Sequence, residues 1–260
     1  MAGTCVFIGG KQIGVDCLGQ LLKRDSRPAL VVGNTDDNGE DKSWHESLIK
    51  KARAEGIPAI AGKKVKHPEV TARIVDIKPE IIFCIGGTQM IPKLVLDAPK
   101  LGCLNIHPAL LPKYRGRYST VHAIFNGEKE TGVSMHWMDE GIDSGPLIMQ
   151  GKMEITDDET AKTLWDKFTA LGGEMFSRFL DMWLAGQEII SHPQDESQAT
   201  YFPKGLPNNG QINWSWSGEQ IRRFIRAMTF EPFPPPDFTI GDKKMVIVDK
   251  KYFNGFGAKP

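Results

Sequence analysis

The sequence predicts an α/β fold: a Rossmann-like, mostly parallel sheet with helices on both faces, followed by a small C-terminal α+β module. Short apolar runs alternate with amphipathic helical segments, which is the pattern of parallel strands joined by crossover helices. The run 80–85 is almost wholly apolar, as expected of a strand buried on both faces. The sequence pattern changes near residue 191, so we place a main domain at 1–190 and the module at 191–260.

The first half of the chain supplies strands and helices in turn. The first strand is predicted at 4–8, before Gly9-Gly10, and a helix follows whose apolar residues recur every three or four positions from Ile13 to Leu22. Further strands are predicted at 28–33, 57–61, 80–85 and 101–106, and further helices at 44–55 and 68–77.

The second half continues with a helix at 119–126, capped by Ser119 or Thr120. Strands at 131–138 and 147–155 flank a tight acidic loop. A long helix then begins at Asp157 or Asp158, and we expect Gly172-Gly173 to break its middle. The C-terminal module carries a helix at 218–229, stopped by the proline-rich stretch 232–236, and a last strand at 243–248.

Composition limits the possible functions. Lys+Arg and Asp+Glu are both 32, so no bulk affinity for nucleic acid or for an anionic membrane is indicated. The four cysteines form no Cys-x-x-Cys pair, and we interpret them as buried free thiols in a reducing compartment. No secretory leader or membrane-spanning stretch is recognised, so a cytoplasmic protein is predicted. No histidine lies at metal-binding spacing, and we expect no metal.

The glycines after the first strand do not indicate a dinucleotide site. The pattern is Gly9-Gly10-x-x-x-Gly14 rather than Gly-x-Gly-x-x-Gly, and no acidic residue follows at the position that would hold a nicotinamide ribose. A tight turn between strand and helix explains these glycines, and NAD is not expected to bind.

Two polar loops carry the chemistry. The run 105–116 reads Asn-Ile-His-Pro-Ala-Leu-Leu-Pro-Lys-Tyr-Arg-Gly and begins where a strand ends. Because side chains alternate along a strand, Asn105 and His107 point to the same side. The second loop, 139–146, contains Asp143. In open α/β sheets, functional groups gather at the carboxyl ends of strands, where we expect these side chains.

These loops resemble those of the folate-dependent formyltransferases, which carry an Asn-x-His-x-x-Leu-Leu-Pro loop and an Asp-x-Gly loop. The resemblance is concentrated between residues 80 and 150. It implies that Asn105, His107 and Asp143 are catalytic and that 10-formyltetrahydrofolate is the formyl donor. An amide N–H can stabilise the developing oxyanion, an imidazole can take the amine proton, and a carboxylate can hold the imidazole. His136, on the strand before Asp143, is a candidate supporting residue.

The resemblance also indicates where folate binds. Residues 86–92, Gly-Gly-Thr-Gln-Met-Ile-Pro, follow the buried strand and match the family loop before an Ile-Pro helix start. A pterin requires backbone hydrogen bonds and an apolar floor. The candidate folate residues are Gly87, Met90, Ile91, Asp139 and Gly141.

Three family branches compete for the acceptor. Only about sixty residues follow Gln198, which we interpret as too few for the C-terminal barrel of methionyl-tRNA formyltransferases. Glycinamide formyltransferases lack such a tail. Residues 114–119, Tyr-Arg-Gly-Arg-Tyr-Ser, resemble the loop that sugar-nucleotide N-formyltransferases place beside the catalytic histidine. That branch is therefore predicted to be nearest, with a nucleotide-linked amino sugar as acceptor, as in lipopolysaccharide O-antigen biosynthesis, and no nucleic-acid partner.

The residues expected to bind that nucleotide sugar are cationic or aromatic, for its pyrophosphate and its base. They are Arg115, Arg117, Tyr118, Trp214, Trp216 and Arg226. Methionyl-tRNA formylation is the main alternative. A folate-binding or folate-sensing protein without turnover and a formyltetrahydrofolate hydrolase also remain open. A homodimer is a further expectation.

Overall fold

A computed structural model describes residues 3–231, 233–240 and 242–247. Within these ranges lie eleven strands: β1 (Cys5–Gly9), β2 (Leu30–Gly33), β3 (Ala59–Ile60), β4 (Ile81–Ile85), β5 (Gly102–His107), β6 (Arg115–Gly116), β7 (Glu130–Trp137), β8 (Leu147–Glu154), β9 (Tyr201–Phe202), β10 (Asp237–Ile240) and β11 (Lys243–Val246). The α-helices are α1 (Lys11–Lys23), α2 (Leu48–Ala54), α3 (Pro68–Asp76), α4 (Lys93–Leu96), α5 (Ser119–Asn126), α6 (Ala161–Leu184) and α7 (Gly218–Met228).

The main sheet has seven strands in the order β3-β2-β1-β4-β5-β7-β8. The pairs from β3 to β5 are parallel, whereas β7 and β8 are antiparallel additions at one edge. Side chains of successive residues in β1 and β4 enter two separate apolar clusters, one on each face of the sheet. The predicted α/β fold with a mostly parallel sheet is therefore confirmed.

Aromatic packing joins α6 to the sheet. The Phe83 ring meets Phe176, Phe179 and Trp183 edge-on, at centroid distances of 5.2, 6.3 and 5.5 Å. One side of α6 therefore packs into the core.

Two details of α6 differ from the sequence prediction. Its N-cap is Thr160, which exchanges hydrogen bonds with Thr163 in a capping box, rather than Asp157 or Asp158. The helix also runs unbroken through Gly172-Gly173. A Cβ built on Gly172 would lie 2.8 Å from Ile13 Cδ1, so this glycine permits close contact with α1 without breaking the helix.

The C-terminal segment packs onto the same core as the main sheet. On α7, Phe224, Ala227 and Met228 are buried in the larger apolar cluster, whereas Ile221 and Ile225 are only partly buried. The β10–β11 hairpin follows. Residue 248, the predicted end of the last strand, lies outside the described residues. The boundary at residue 190 remains a prediction.

All four cysteines are buried free thiols. Burial raises the pKa of the Cys5 thiol to about 12, so this thiol stays protonated at neutral pH. Within the described ranges, no helix is long and apolar enough to cross a membrane.

Candidate active site

The three predicted catalytic side chains meet where β5 ends. Asn105 and His107 lie two residues apart on β5 and line the same cavity, and Asp143 reaches them from the loop between β7 and β8. Antiparallel pairing places His136 of β7 directly opposite Asn105. A fourth polar side chain therefore joins the group.

Short distances connect the four residues. Asn105 Nδ2 lies 3.1 Å from His136 Nε2 and 3.4 Å from Asp143 Oδ1. His107 Nδ1 lies 3.4 Å from the other carboxylate oxygen, Asp143 Oδ2. The Asp143 carboxylate thus lies between the amide and the imidazole.

Backbone carbonyls determine which nitrogen of each imidazole carries hydrogen. His107 Nε2 is 2.8 Å from the Tyr114 carbonyl oxygen, which only accepts, so Nε2 is the donor and Nδ1 is left to take a proton beside Asp143. His136 Nδ1 likewise donates to the Trp137 carbonyl at 2.8 Å, which leaves Nε2 as an acceptor for Asn105. Burial lowers the pKa of His136 and favours this neutral form.

Asp143 is held from both sides of its loop. Its Oδ2 accepts the Gly116 N–H at 2.8 Å, and its backbone is left-handed, with φ of 52°. The buried Gln194 amide donates at 2.8 Å to the carbonyl oxygens of Asp143 and Gly145. The residue is therefore positioned by a segment fifty residues away along the chain.

The loop that follows His107 is fixed by neighbouring strands. The buried Ser134 hydroxyl donates to the Ala109 carbonyl and accepts the Leu111 N–H, at 2.7 and 3.0 Å. Further on, β6 pairs in parallel with β9. These bonds determine where Tyr114 presents its carbonyl to His107.

Asn105, His107 and Asp143 form part of the wall of a cavity of about 420 Å³. Of the eight described non-glycine residues with positive φ, Lys11, Tyr118 and Asp143 line this cavity. Such strained residues are concentrated at ligand sites. Because Tyr118 takes this conformation immediately before α5, neither Ser119 nor Thr120 caps that helix.

The predicted folate residues divide into two groups. Gly87 lines the cavity, and a Cβ there would meet nothing within 4 Å, so its backbone is open to a ligand. Met90, Ile91, Asp139 and Gly141 are not part of the cavity wall. Asp139 accepts hydrogen bonds from Gly141 N–H and the Ser144 hydroxyl, which is the role of a turn residue. The Lys93–Glu140 ion pair, at 2.6 Å, joins the start of α4, just after residues 86–92, to the loop that contains Asp139 and Gly141.

Of the predicted acceptor residues, Arg117 and Tyr118 line the cavity, whereas Arg115 does not. The Arg115 guanidinium is buried, forms a two-point ion pair with Glu196 at 2.6 and 2.8 Å, and also donates to Gln194. It holds the 194–196 segment in place and is not free to bind a phosphate.

The other three predicted acceptor residues also lie outside the cavity wall. Trp214 is exposed and meets the Phe238 ring edge-on. Trp216 packs on Phe125 and Phe224, each at 5.2 Å, as a partly buried core residue. Arg226 donates to the Glu159 and Thr156 carbonyl oxygens and fastens α7 to the loop before α6.

Sequence reasoning missed much of the cavity wall. The missed residues include Lys11, Asp36, Trp44, Thr88, Trp165, Phe168, Phe230 and Phe233. Lys11 follows Gly10 directly, so its place at the carboxyl end of β1 could have been noticed. The aromatic residues come from distant parts of the chain, and no local pattern points to them.

The described residues were also compared with the requirements of a metal site. Among the described residues, no cluster of three or more His, Cys, Asp or Glu side chains could hold a metal ion. The candidate site consists of hydrogen-bonding groups around a single carboxylate.

This sheet and the Asn/His/Asp group at its edge define a group-transfer enzyme, and comparison with known proteins gives the class. The formyl transferase family matches residues 5–180, and the formyl transferase C-terminal domain matches residues 206–259. The chain therefore belongs to the formyl transferase family and is an N-formyltransferase, as its loops predicted.

Relatives and solved structures indicate different acceptors. The chain is 32% identical over 260 residues to the methionyl-tRNA formyltransferase of Thermodesulfovibrio yellowstonii, covering 99% of this chain and 83% of the relative. It is 35% identical over 231 residues to that of Geobacillus thermodenitrificans, covering 88% and 72%.

Among solved structures, the Helicobacter canadensis N-formyltransferase, in complex with folinic acid and dTDP-3-aminofucose, superposes with a TM-score of 0.76 at 25% identity, covering 92% of this chain and 84% of that one. WlaRD, a sugar 3N-formyl transferase solved with dTDP and 5-N-formyl-THF, gives 0.74 at 25%, covering 94% and 85%.

The relatives overturn the predicted acceptor. Six methionyl-tRNA formyltransferases are 32–35% identical over most of the chain, above the 25% of the sugar enzymes. The prediction of a nucleotide-linked amino sugar rested in part on a tail judged too short, yet that tail matches the family C-terminal domain.

Proposed function

We propose that this protein transfers the formyl group of 10-formyltetrahydrofolate to the α-amino group of methionyl-tRNA. The observation that carries the acceptor is the 32% identity over 260 residues to a methionyl-tRNA formyltransferase. The donor agrees with the sequence prediction and with the folate derivatives named in both sugar-enzyme complexes.

The candidate site offers the groups that formyl transfer requires. When the amine attacks the formyl carbon, negative charge develops on the formyl oxygen and the amine becomes acidic. Asn105 Nδ2 makes a 3.1 Å bond to His136 but only a 3.4 Å contact with Asp143, and the formyl oxygen can replace this longer contact. A preorganised donor of this kind stabilises the oxyanion.

His107 and Asp143 provide for the proton. His107 Nδ1 is the nitrogen left without hydrogen when Nε2 donates to Tyr114. It takes the proton that the attacking amine releases, and the imidazolium so formed lies 3.4 Å from Asp143 Oδ2. The bond between the formyl carbon and N10 of the donor then breaks, and the imidazolium gives its proton to N10, so that tetrahydrofolate leaves as a neutral amine. His136, neutral and buried, orients the Asn105 amide without exchanging a proton.

The donor end of the cavity has the features that a folate requires. Gly87 leaves the backbone accessible beyond β4, whereas Gly86 permits close packing on the first turn, because a side chain there would collide with the Gly10 carbonyl oxygen at 2.1 Å. Thr88 is fixed by Asn34, whose Oδ1 accepts from both its N–H and its hydroxyl, at 3.0 and 3.1 Å. A rigid backbone edge of this type suits the amide-like hydrogen-bonding edge of a pterin.

The acceptor is tested by comparing methionyl-tRNA, uncharged tRNA and free methionine as partners for 10-formyltetrahydrofolate. We expect formylation of methionyl-tRNA only, because uncharged tRNA lacks the amine and free methionine lacks the nucleotide. His107→Asn serves as the inactive control. Equal formylation of free methionine would contradict a tRNA acceptor.

A further inference from the structure

Two cationic side chains line the same cavity without an acidic partner. Lys11, at the start of α1, and Arg117, after β6, both contribute to its wall. Neither makes an ion pair with any residue in the described ranges, and Arg117 donates only to the Thr88 carbonyl oxygen, at 3.2 Å. Asp36, the other acidic residue of the wall besides Asp143, is paired with Lys42 at 2.5 Å.

The surroundings of Lys11 make its charge costly. Its ammonium lies 4.9 Å from the centre of the Trp165 ring. Burial, helped by the like charge of Arg117 and opposed by Asp36, lowers the pKa of Lys11 to about 8. A partly buried cation without a counter-charge is destabilised unless a ligand supplies an anion.

Aromatic rings line the same cavity as Lys11 and Arg117. Trp44 meets Phe230 at 5.4 Å, Phe230 meets Phe233 at 5.2 Å, and Trp165 lies 5.9 Å from Phe230. All four residues line the cavity. Such rings provide faces on which a nucleobase stacks. Cations beside stacking faces are the combination that binds a nucleotide.

Resting on the proposed function, we infer that Lys11 and Arg117 form an oxyanion clamp for the phosphate next to the aminoacylated nucleotide of the acceptor. Two cations from separate elements straddle one phosphate, while the aromatic rings receive the neighbouring base. The clamp places the acceptor amine toward Asn105 and His107, which line the same cavity. Both residues are therefore positioning residues rather than catalytic ones.

A carboxylate of the folate glutamate has the same oxyanion chemistry, and the experiment separates the two sources. The aromatic faces favour the nucleotide, because a glutamate tail gains little from stacking. The probes are adenosine 5′-monophosphate, adenosine as the uncharged match, and 5-formyltetrahydrofolate. The reporter is the ammonium of Lys11, followed by NMR of protein labelled at lysine Cε and assigned with Lys11→Met.

We expect adenosine 5′-monophosphate to raise the pKa of Lys11 above its resting value of about 8, because the phosphate supplies the counter-charge. Adenosine alone should leave it unchanged. A Lys11 pKa that does not change when adenosine 5′-monophosphate is added would overturn the clamp. A shift produced by 5-formyltetrahydrofolate alone would assign the cations to the donor and would also overturn it.

Kinetics give a second, independent measure. Lys11→Met and Arg117→Met should each raise the acceptor KM about tenfold to a hundredfold, the usual effect of losing one hydrogen bond to a charged group, with kcat and the donor KM little changed. Lys23→Met, at the exposed far end of α1, is the matched control. An unchanged acceptor KM in both variants would refute the clamp while leaving methionyl-tRNA formylation intact. If the wild-type protein does not formylate methionyl-tRNA but adenosine 5′-monophosphate still raises the pKa of Lys11, only the proposed function is refuted.

Discussion

The Asp143 carboxylate serves two candidate catalytic side chains at once. One oxygen faces Asn105 at 3.4 Å and the other faces His107 at 3.4 Å, while the Gly116 N–H holds the carboxylate in place at 2.8 Å. Each contact to a reacting side chain is long, so each can shorten or be replaced as charge develops. In the proposed mechanism, Asp143 thus couples charge stabilisation by Asn105 to proton acceptance by His107.

Replacement of any of the three side chains should lower turnover. Asn105→Ala, His107→Asn and Asp143→Asn are each expected to reduce kcat by about 10²–10³, because each acts on charge that appears in the transition state. Folate affinity, measured by equilibrium titration with 5-formyltetrahydrofolate, should change little. Asp139→Asn, in the adjacent turn, is the control. Near-normal turnover in His107→Asn would remove the proposed role of the trio.

At the scale of single residues, the sequence predicted the meeting of the three candidate catalytic side chains better than it predicted the remaining cavity wall. Asn105, His107 and Asp143 belong to contiguous motifs at strand ends, so topology alone brings them together. Arg115 and Trp216 were predicted to face ligand, but Glu196 and Phe224 occupy their side chains instead. Such pairings join distant parts of the chain and leave no local signature.

At the scale of elements, the Asp143 loop depends on the segment that follows α6. Gln194 is buried, donates to the Asp143 and Gly145 carbonyl oxygens, and accepts from Arg115. Its amide therefore links two segments whose relative position sets the carboxylate.

Gln194→Leu should lower kcat about tenfold or more while leaving both KM values nearly unchanged, because a small misplacement of a reacting group is costly to the chemical step. Steady-state kinetics measure kcat and the two KM values separately. Gln198→Leu is the matched control, since that exposed amide bonds only to Asp195. A fall in stability without loss of kcat would assign Gln194 to folding alone.

The two adjacent glycines of α6 should respond in opposite ways to alanine. At Gly172 a new Cβ meets Ile13 Cδ1 at 2.8 Å and Ile106 Cγ2 at 3.3 Å, so Gly172→Ala should destabilise the fold by about 1–3 kcal/mol. At Gly173 the nearest atom is the flexible Gln20 Nε2, at 3.4 Å. Gly173→Ala should therefore be neutral or stabilising by up to about 1 kcal/mol. Urea denaturation of both variants checks the difference.

Element order was predictable, and element ends were not. Alternating apolar runs gave the strands and helices of the main sheet, since burial imposes those periods. The cap of α6 differed because Thr160 and Thr163 form a reciprocal pair, which competes successfully with the nearby aspartates. The start of α5 differed because Tyr118 adopts a left-handed backbone that residue type does not foretell.

At the scale of the whole molecule, zero net charge suggested that no nucleic acid would bind, whereas the acceptor that we propose from the relatives is a tRNA. Net charge reports the average over the surface, whereas Lys11 and Arg117 concentrate cations in one cavity. A few local contacts can hold the end of a tRNA in a chain that is neutral overall.

Ligand linkage tests the donor on the intact protein. At about 100 times its Kd, 5-formyltetrahydrofolate should add about 2.7 kcal/mol to the free energy of unfolding. For a protein of this size the melting temperature should rise by roughly 5–10 °C. NAD should produce no shift, because the first glycine turn lacks a ribose-binding acid. Differential scanning calorimetry measures both, and stabilisation by NAD alone would contradict the donor assignment.

The most direct test of the proposed function is the rate at which N-formylmethionine appears on tRNA. Protein, methionyl-tRNA and 10-formyltetrahydrofolate are mixed, and the amino acid released by deacylation is identified by mass spectrometry. We predict N-formylmethionine with a kcat/KM within the usual enzymatic range of about 10⁴–10⁸ M⁻¹s⁻¹, with almost none formed by His107→Asn. Unmodified methionine on the tRNA, from a protein that binds folate and formylates another amine, would contradict it.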